Sequence, residues 1–303
     1  MTKNCIFLCV FHNPKYLHLL HLLLHSIELY GNMTSDTSIV IYTCSEFEKI
    51  IHNFSFSFEI VIVIHNEYKT VEQSCRARLD LFNIPYIQHC ERILYLDTDI
   101  LIINDIAPIF NLCQSDHIYA LEEGTMKTHD PYWDYYGKTL FTTEEVGRYE
   151  HRTAFSSGIM LFPNTQKIKS LFRTISRDIK KRPICKFDQP YIVHHALKQN
   201  MIDNQSLIPY AILFNDYNIL PPQRTMTFIH FAGGVGVYQH KAHNMLQFLQ
   251  QRRNYTCILR VMEGRFMSWM HDLNTETLLD VLGLLLLGST CICTASIMGK
   301  WIM

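Results

Sequence analysis

The sequence predicts an α/β fold built on a mostly parallel sheet flanked by helices. Three observations carry that expectation. Short apolar runs of strand length alternate with stretches of helical periodicity through the first two-thirds of the chain. The strand-like runs are continuously apolar or β-branched, as in Glu59–His65 (EIVIVIH), which suits strands buried within a covered sheet. The alternation itself, strand then helix then strand, is the pattern of a parallel sheet with helical crossovers.

The elements follow in order. Cys5–Phe11 reads as a first buried strand. Lys15–Tyr30 carries leucines at helical spacing and stops at Gly31. Ser38–Thr43 and Glu59–His65 are strands, Val71–Ile87 a helix, and Arg92–Leu96 the next strand. Gly124–Thr153 is polar and aromatic and breaks the pattern, which predicts a long irregular insertion of functional use. Ser157–Phe162 resumes as a strand, and Gln166–Lys181 as a basic amphipathic helix. Gln189–Lys198 is a short helix, Thr227–Phe231 a late strand with a Gly-rich loop after it, and Tyr238–Arg252 and Tyr255–Met270 are helices.

With 303 residues, 48% of them apolar, the chain can bury a sizeable core. The formal charge of −1 argues against a protein built to grip nucleic acid, so anionic ligands must be bound by a local site. Ten cysteines lack any C-x-x-C pair or scaffold spacing and read as reduced thiols of a cytoplasmic protein. The apolar run after Lys3 is too short for a secretory signal, so the sequons at Asn32, Asn53, Asn204 and Asn254 read as chance matches. Residues 281–299 carry no charge and approach the length that spans a bilayer. They are either a C-terminal membrane anchor, leaving the rest of the chain on the cytoplasmic side, or a buried or interfacial helix. Cys291 and Cys293 in that tail are candidates for lipidation.

The most informative stretch is Arg92–Ile103, in which a five-residue, mostly apolar strand runs directly into Asp97-Thr98-Asp99. In sheets of this kind ligands bind at the carboxyl ends of the strands. Two neighbouring carboxylates there are costly unless a cation lies between them. Mg²⁺ and Mn²⁺ take oxygen ligands and commonly bridge to phosphates. The same local logic fits metal-dependent phosphohydrolases with Asp97 as nucleophile, so further motifs must decide. His18, His21 and His25 lie on one stripe of the first helix and read as solvent- or groove-facing positions rather than a metal stripe. His194-His195 and His240/His243 read the same way, with His240 closest to the expected site. The aromatic cluster Tyr132, Trp133, Tyr135 and Tyr136 is a candidate acceptor platform or lid.

RILYLDTDIL resembles the metal-binding strand of glycosyltransferase family 8, which includes glycogenin and bacterial lipopolysaccharide galactosyltransferases. Further segments resemble family motifs in the same order. They are the basic helix Arg76-Ala-Arg78-Leu79, the strand Phe155-Ser156-Ser157-Gly158-Ile159-Met160-Leu161-Phe162, the pair Asp188-Gln189, and the loop Ile229-His230-Phe231-Ala232-Gly233-Gly234. The resemblance spans roughly residues 4 to 245. It implies a GT-A fold over residues 1–250, with 251–303 as a helical C-terminal extension. It also implies a UDP-sugar donor, Mn²⁺ (or Mg²⁺) and retention of anomeric configuration.

By position, the resemblance implies that Asp97, Asp99 and His230 hold the metal. Arg78 contacts the diphosphate or sugar, and Asn13 and Tyr16 lie near the base. Thr98, Ser156, Ser157, Gly233 and Lys241 complete the donor site, and Asp188 and Gln189 lie at the reacting face. Ser156 stands where the family has Asn, and Val237-Tyr238-Gln239-His240-Lys241 replaces the common Lys-Pro-Trp. The acceptor is a glycan, protein or small-molecule hydroxyl. The mechanism is front-face transfer, in which the leaving phosphate takes the acceptor's proton, or double displacement through a carboxylate. The alternative is a non-catalytic nucleotide-sugar-binding relative.

Overall fold

Strand β1 (Asn4–Val10) buries both of its faces: Cys5 and Phe7 enter one apolar cluster, while Ile6, Leu8 and Val10 enter another. A strand covered on both sides has no solvent face to mark with polar residues, which is why it reads as an unbroken apolar run. The computed structural model describes residues 3–125, 136–214, 225–233 and 238–252.

Helix α1 (Lys15–Tyr30) returns to β2 (Thr37–Thr43), followed by α2 (Ser45–Ile51) and β3 (Ile60–Ile64). A short α3 (Val71–Arg76) then leads through two 3₁₀ turns, Ala77–Asn83 and Pro85–His89, to β4 (Arg92–Leu96). Next come β5 (Ile100–Ile102), α4 (Ala107–Phe110), β6 (Ile118–Thr125), α5 (Thr143–Tyr149) and β7 (Thr153–Pro163). The chain continues with α6 (Gln166–Lys181), α7 (Gln189–Lys198), β8 (Ile202–Asp203), β9 (Ala211–Leu213), β10 (Phe228–His230) and α8 (Tyr238–Arg252).

The large sheet has the order β3-β2-β1-β4-β7-β6-β8. Its first four strands are mutually parallel, β7 runs antiparallel to both neighbours, and β8 is parallel to β6. A small sheet, β5-β10-β9, lies beyond the end of β4. One core lies between the large sheet and the side formed by the two 3₁₀ turns, α6 and α7, and a second lies under α1 and α2. A third joins α1 to the small sheet and α8.

Four sequence expectations change. Val71–Ile87 is not one helix: α3 starts at a Thr70–Gln73 capping box, and the residue before Pro85 is extended (φ −81°, ψ 120°). The ring of a proline excludes the α conformation at the preceding residue. Strand β6 was not anticipated, and the supposedly irregular Gly124–Thr153 holds its end and α5, which has a Thr142–Glu145 capping box. The histidines of α1 do not face solvent. Leu17, Leu20 and Leu24 pack toward the large sheet and Leu19 and Leu22 toward α8 and the small sheet, so His18, His21 and His25 are buried between elements. His21 packs on Phe54, with ring centroids 4.7 Å apart.

Residues 126–135, Tyr255–Met270 and the 281–299 tail lie outside the described residues. Among the described residues no helix is long and apolar enough to cross a membrane, and the described cysteines form no disulfide.

Candidate active site

The centre of the large sheet ends in the acidic turn. Asp97 N–H donates to Gly158 O on β7 (2.8 Å), and Asp99 C=O accepts from Phe231 N–H just after β10 (2.9 Å). The turn is thereby fixed on one side to the large sheet and on the other to the small one. His230, the last residue of β10, pairs with Ile100 and faces the same turn. Ligand atoms of Asp97, Asp99 and His230 all lie within 4.8 Å of one another. Gly158 makes this approach available. A Cβ there would lie 2.6 Å from His230 Cε1, closer than real side chains pack, and a tight 3.1 Å from Asp97 Oδ2.

Arg78, on the first 3₁₀ turn and buried, organises the other side. Its Nη1 donates to Ser157 O (2.7 Å) and to Asp97 Oδ1 (3.3 Å), and its Nε lies 2.8 Å from Asp188 Oδ2. The guanidinium stacks on Tyr95, 4.7 Å from the ring centroid, and the Tyr95 hydroxyl donates to Asp97. Asp188 is the residue before α7 and is 1% exposed. Burial raises its pKa, and the adjacent Arg78 charge opposes that rise. Gln189 accepts from both the N–H (3.0 Å) and the hydroxyl (2.9 Å) of Ser157, which fixes its side chain against β7.

Lys241, on α8, reaches Asp99 Oδ2 at 2.5 Å. Burial disfavours ionised Asp99, but the charges of Lys241 and His230 outweigh it and hold the carboxyl below the usual range. Burial likewise disfavours a charged His230, and Asp99 outweighs it, so the imidazole is shifted upward. Among the described residues, Asp99 Oδ1 and His230 Nδ1 are buried without a hydrogen-bond partner. Two carboxylates and an imidazole form a mixed oxygen and nitrogen donor set suited to Mn²⁺, and less to Mg²⁺. The residues therefore fit a divalent cation.

Two cavities meet at this wall. The larger, about 320 Å³, is lined by Ser156, Ser157, Asp188, Gln189, His230 and Gly233 together with Glu123, Tyr136, Phe187 and Ala232. The smaller, about 190 Å³, is lined by Tyr16, Thr98 and Tyr95 together with Cys9, Val10, Phe11, His12, Val71 and Ser74. Cys75, Arg78, Asp97, Asp99 and Lys241 line both. Every donor, metal and catalytic residue expected from the sequence thus lines a cavity, with the exception of Asn13. The Asn13 carboxamide instead accepts from Lys15 N–H (3.0 Å) in the turn before α1, and the neighbouring His12, in the left-handed region (φ 67°), takes the lining position.

Sequence reasoning missed Glu123, Phe187, Cys75, Tyr95 and most of the smaller cavity's lining. Tyr95 was readable, because it lies two residues before Asp97 on a strand and so shares its face. Glu123 was not, because it sits on the unanticipated β6. Of the aromatic cluster, Tyr136 lines the larger cavity, and the other three lie outside the described residues. His240 is exposed on α8 and lines neither cavity.

A second set of potential ligands, Asp178, His194 and His195, is a clamp between α6 and α7. Arg182 binds both Asp178 oxygens, and His195 Nε2 lies 2.8 Å from Oδ2.

The structure is similar to that of the galactosyltransferase LgtC in complex with donor and acceptor sugar analogues, with a TM-score of 0.58 and 14% identity. That match covers 86% of this chain and 99% of the other. An active-site mutant of LgtC matches equally well. The bifunctional glycosyltransferase WbbM in its apo form matches at a TM-score of 0.54 and 14% identity, over 80% of this chain and 50% of that one. These likenesses show a GT-A fold. No curated protein sequence matches the chain. The model of the family described as "Glycosyl transferase family 8" matches residues 32–235, two-thirds of the chain. The chain is therefore a glycosyltransferase and belongs to glycosyl transferase family 8.

Proposed function

We propose that the enzyme transfers a hexose from a UDP-sugar to an acceptor hydroxyl with retention of configuration, and that it depends on Mn²⁺. The observation that carries this reading is the common wall of the two cavities, where Asp97 and Asp99 stand beside Arg78 and His230 meets them from the larger cavity. The smaller cavity, with Tyr16 and Thr98, takes the nucleoside. The larger takes the sugar and the acceptor, with Asp188 and Gln189 at the reacting face.

A divalent cation held by Asp97, Asp99 and His230 supplies Lewis-acid stabilisation of the charge that grows on the departing diphosphate. The protein's own cations act on the same charge. Arg78 is a preorganised guanidinium with its orientation fixed by Ser157 O, Asp188 and Tyr95. Lys241, paired with Asp99 Oδ2, is a second positive charge at the same wall. Asp188 is buried with its carboxylate against Arg78, an environment that opposes its use as a free nucleophile. This environment supports front-face transfer, with the leaving phosphate accepting the acceptor's proton and Gln189, held by Ser157, steadying the oxocarbenium-like sugar.

The test incubates the full chain with a panel of UDP-sugars, with Mn²⁺ or with chelator, and measures UDP release. Mn²⁺-dependent release from one donor, lost in Asp97→Ala and Asp99→Ala, is the expected result. Equal release in chelator, or an unaffected Asp99→Ala, sinks the metal assignment. An Asp188→Asn variant that keeps near-normal turnover excludes double displacement through Asp188.

A further inference from the structure

Helix α6 buries Ile168, Leu171, Phe172, Ile175 and Ile179. Its opposite, solvent-facing line carries Arg173, Arg177 and Lys181 at successive four-residue steps, with Lys180 alongside. Residues 166–186 hold eight Lys and Arg against a single acidic residue, in a chain whose net charge is −1. Three of those cations are answered: Arg182 by Asp178, Lys167 by Asp116 and Lys186 by Glu72. Arg173, Arg177, Lys180 and Lys181 form no ion pair among the described residues. Like charges four apart on a helix repel one another, and an anionic partner relieves that repulsion.

The end of this line is also apolar. Ile184, in the connection to α7, is 59% exposed, the most exposed of the large apolar side chains described, and Pro183 beside it is exposed too. A cationic line ending in an exposed apolar tip matches the two layers of a bilayer interface, headgroup charge and acyl boundary. A soluble polyanion has use only for the charges.

The position is informative. Strand β7 carries the chain away from the site, since its Pro163 pairs with Arg92 at the start of β4. Helix α6 then returns over about 24 Å, and the chain reaches Phe187, in the wall of the larger cavity, and Asp188. Ile184, Lys180 and Lys181 therefore lie at the active-site end of the helix.

We propose that the exposed face of α6 and its Arg182–Phe187 connection is a docking surface for an anionic lipid bilayer. Ile184 enters the interface, and Arg173, Arg177, Lys180 and Lys181 contact the headgroups. Docked this way, the larger cavity lies next to the membrane plane. The proposal does not depend on the identity of the donor or metal.

The experiment is co-sedimentation of the full chain, without sugar or metal, with vesicles of phosphatidylcholine alone or mixed with phosphatidylglycerol. The expected result is binding to the mixed vesicles, little to the neutral ones, and a loss of roughly tenfold or more in R173E/R177E/K180E/K181E. K180Q/K181Q, which removes charge without reversing it, and Ile184→Ser each lower binding by a smaller factor at an unchanged thermal midpoint. Absence of wild-type binding to mixed vesicles overturns the proposal. So does equal binding to both vesicle types, or undiminished binding by the charge-reversed and K180Q/K181Q chains, because the attachment then lies elsewhere in the molecule. Binding to heparin without binding to vesicles replaces the bilayer with a soluble polyanion and also overturns it.

Discussion

Gly158 and Arg78 are two positions, beside the ligands themselves, at which a single substitution is expected to dismantle the candidate site. Gly158→Ala places a methyl group on His230, so the imidazole must leave the carboxylates. Calorimetric Mn²⁺ affinity is expected to fall about 10–100-fold with the fold retained, and an unchanged affinity would mean that His230 is not a ligand. Arg78→Ala leaves Asp188 buried without its counter-charge. Breaking such a pair by removing one partner costs about 3–5 kcal/mol, which urea unfolding will register. Arg78→Lys restores the charge but not the three-way fork, so it recovers part of the stability and little of the turnover. At this scale the site was largely legible. Asp97, Asp99, His230, Asp188 and Gln189 sit in short strings whose chemistry or resemblance names them. Phe187 stands at the head of the Asp188-Gln189 string but carries no chemistry that marks it, and Glu123 sits in no string at all; both reach the cavity wall through tertiary packing, as Asn13 becomes a turn residue.

At the scale of elements, α1 and α7 show where periodicity misleads. A histidine among leucines reads as polar, but α1 is covered on both sides, and burial pushes His18 down to about 4. Burial, with His195 adding to it, does the same to His194 on α7. Both imidazoles stay neutral in the folded chain down to about that pH, whereas the unfolded chain takes up protons near 6.5. Folding stability is therefore complete above that value and is lost as pH falls from 6.5 toward 4, by up to about 3 kcal/mol for each group. Equilibrium unfolding between pH 7 and 4 checks this, and His18→Gln should flatten the profile; an equally steep profile in that variant would remove His18 from the account. Besides its apolar contacts, the same helix ties the small sheet through a hydroxyl: Ser26 accepts from Ile102 N–H (2.9 Å) while donating to Leu23 O (2.7 Å). Ser26→Ala leaves a buried donor unmet and is expected to cost about 1–3 kcal/mol, read as a lower urea midpoint. Strand β6 escaped notice because Leu121 is followed by Glu122 and Glu123, and its pairing with β7 is broken by register shifts that no local pattern announces.

At the scale of the molecule, the alternation of strands and helices made the large sheet readable, because each unit closes on its neighbour in sequence. The small sheet was not readable. It joins Ile100–Ile102 to Phe228–His230 across more than a hundred residues, and such pairing leaves no local mark. Asp97 is bonded through its backbone to the large sheet and Asp99 to the chain that leaves the small one. A cation shared by Asp97, Asp99 and His230 would therefore tie the turn that ends the large sheet to β10 of the small one. Mn²⁺ at a hundred times its dissociation constant should add about 2.7 kcal/mol to the unfolding free energy, visible as a raised thermal midpoint that Asp99→Ala abolishes. If the ion is held there, parting of the two sheets at this seam and loss of the site become one event, and the free metal concentration would set how often it happens.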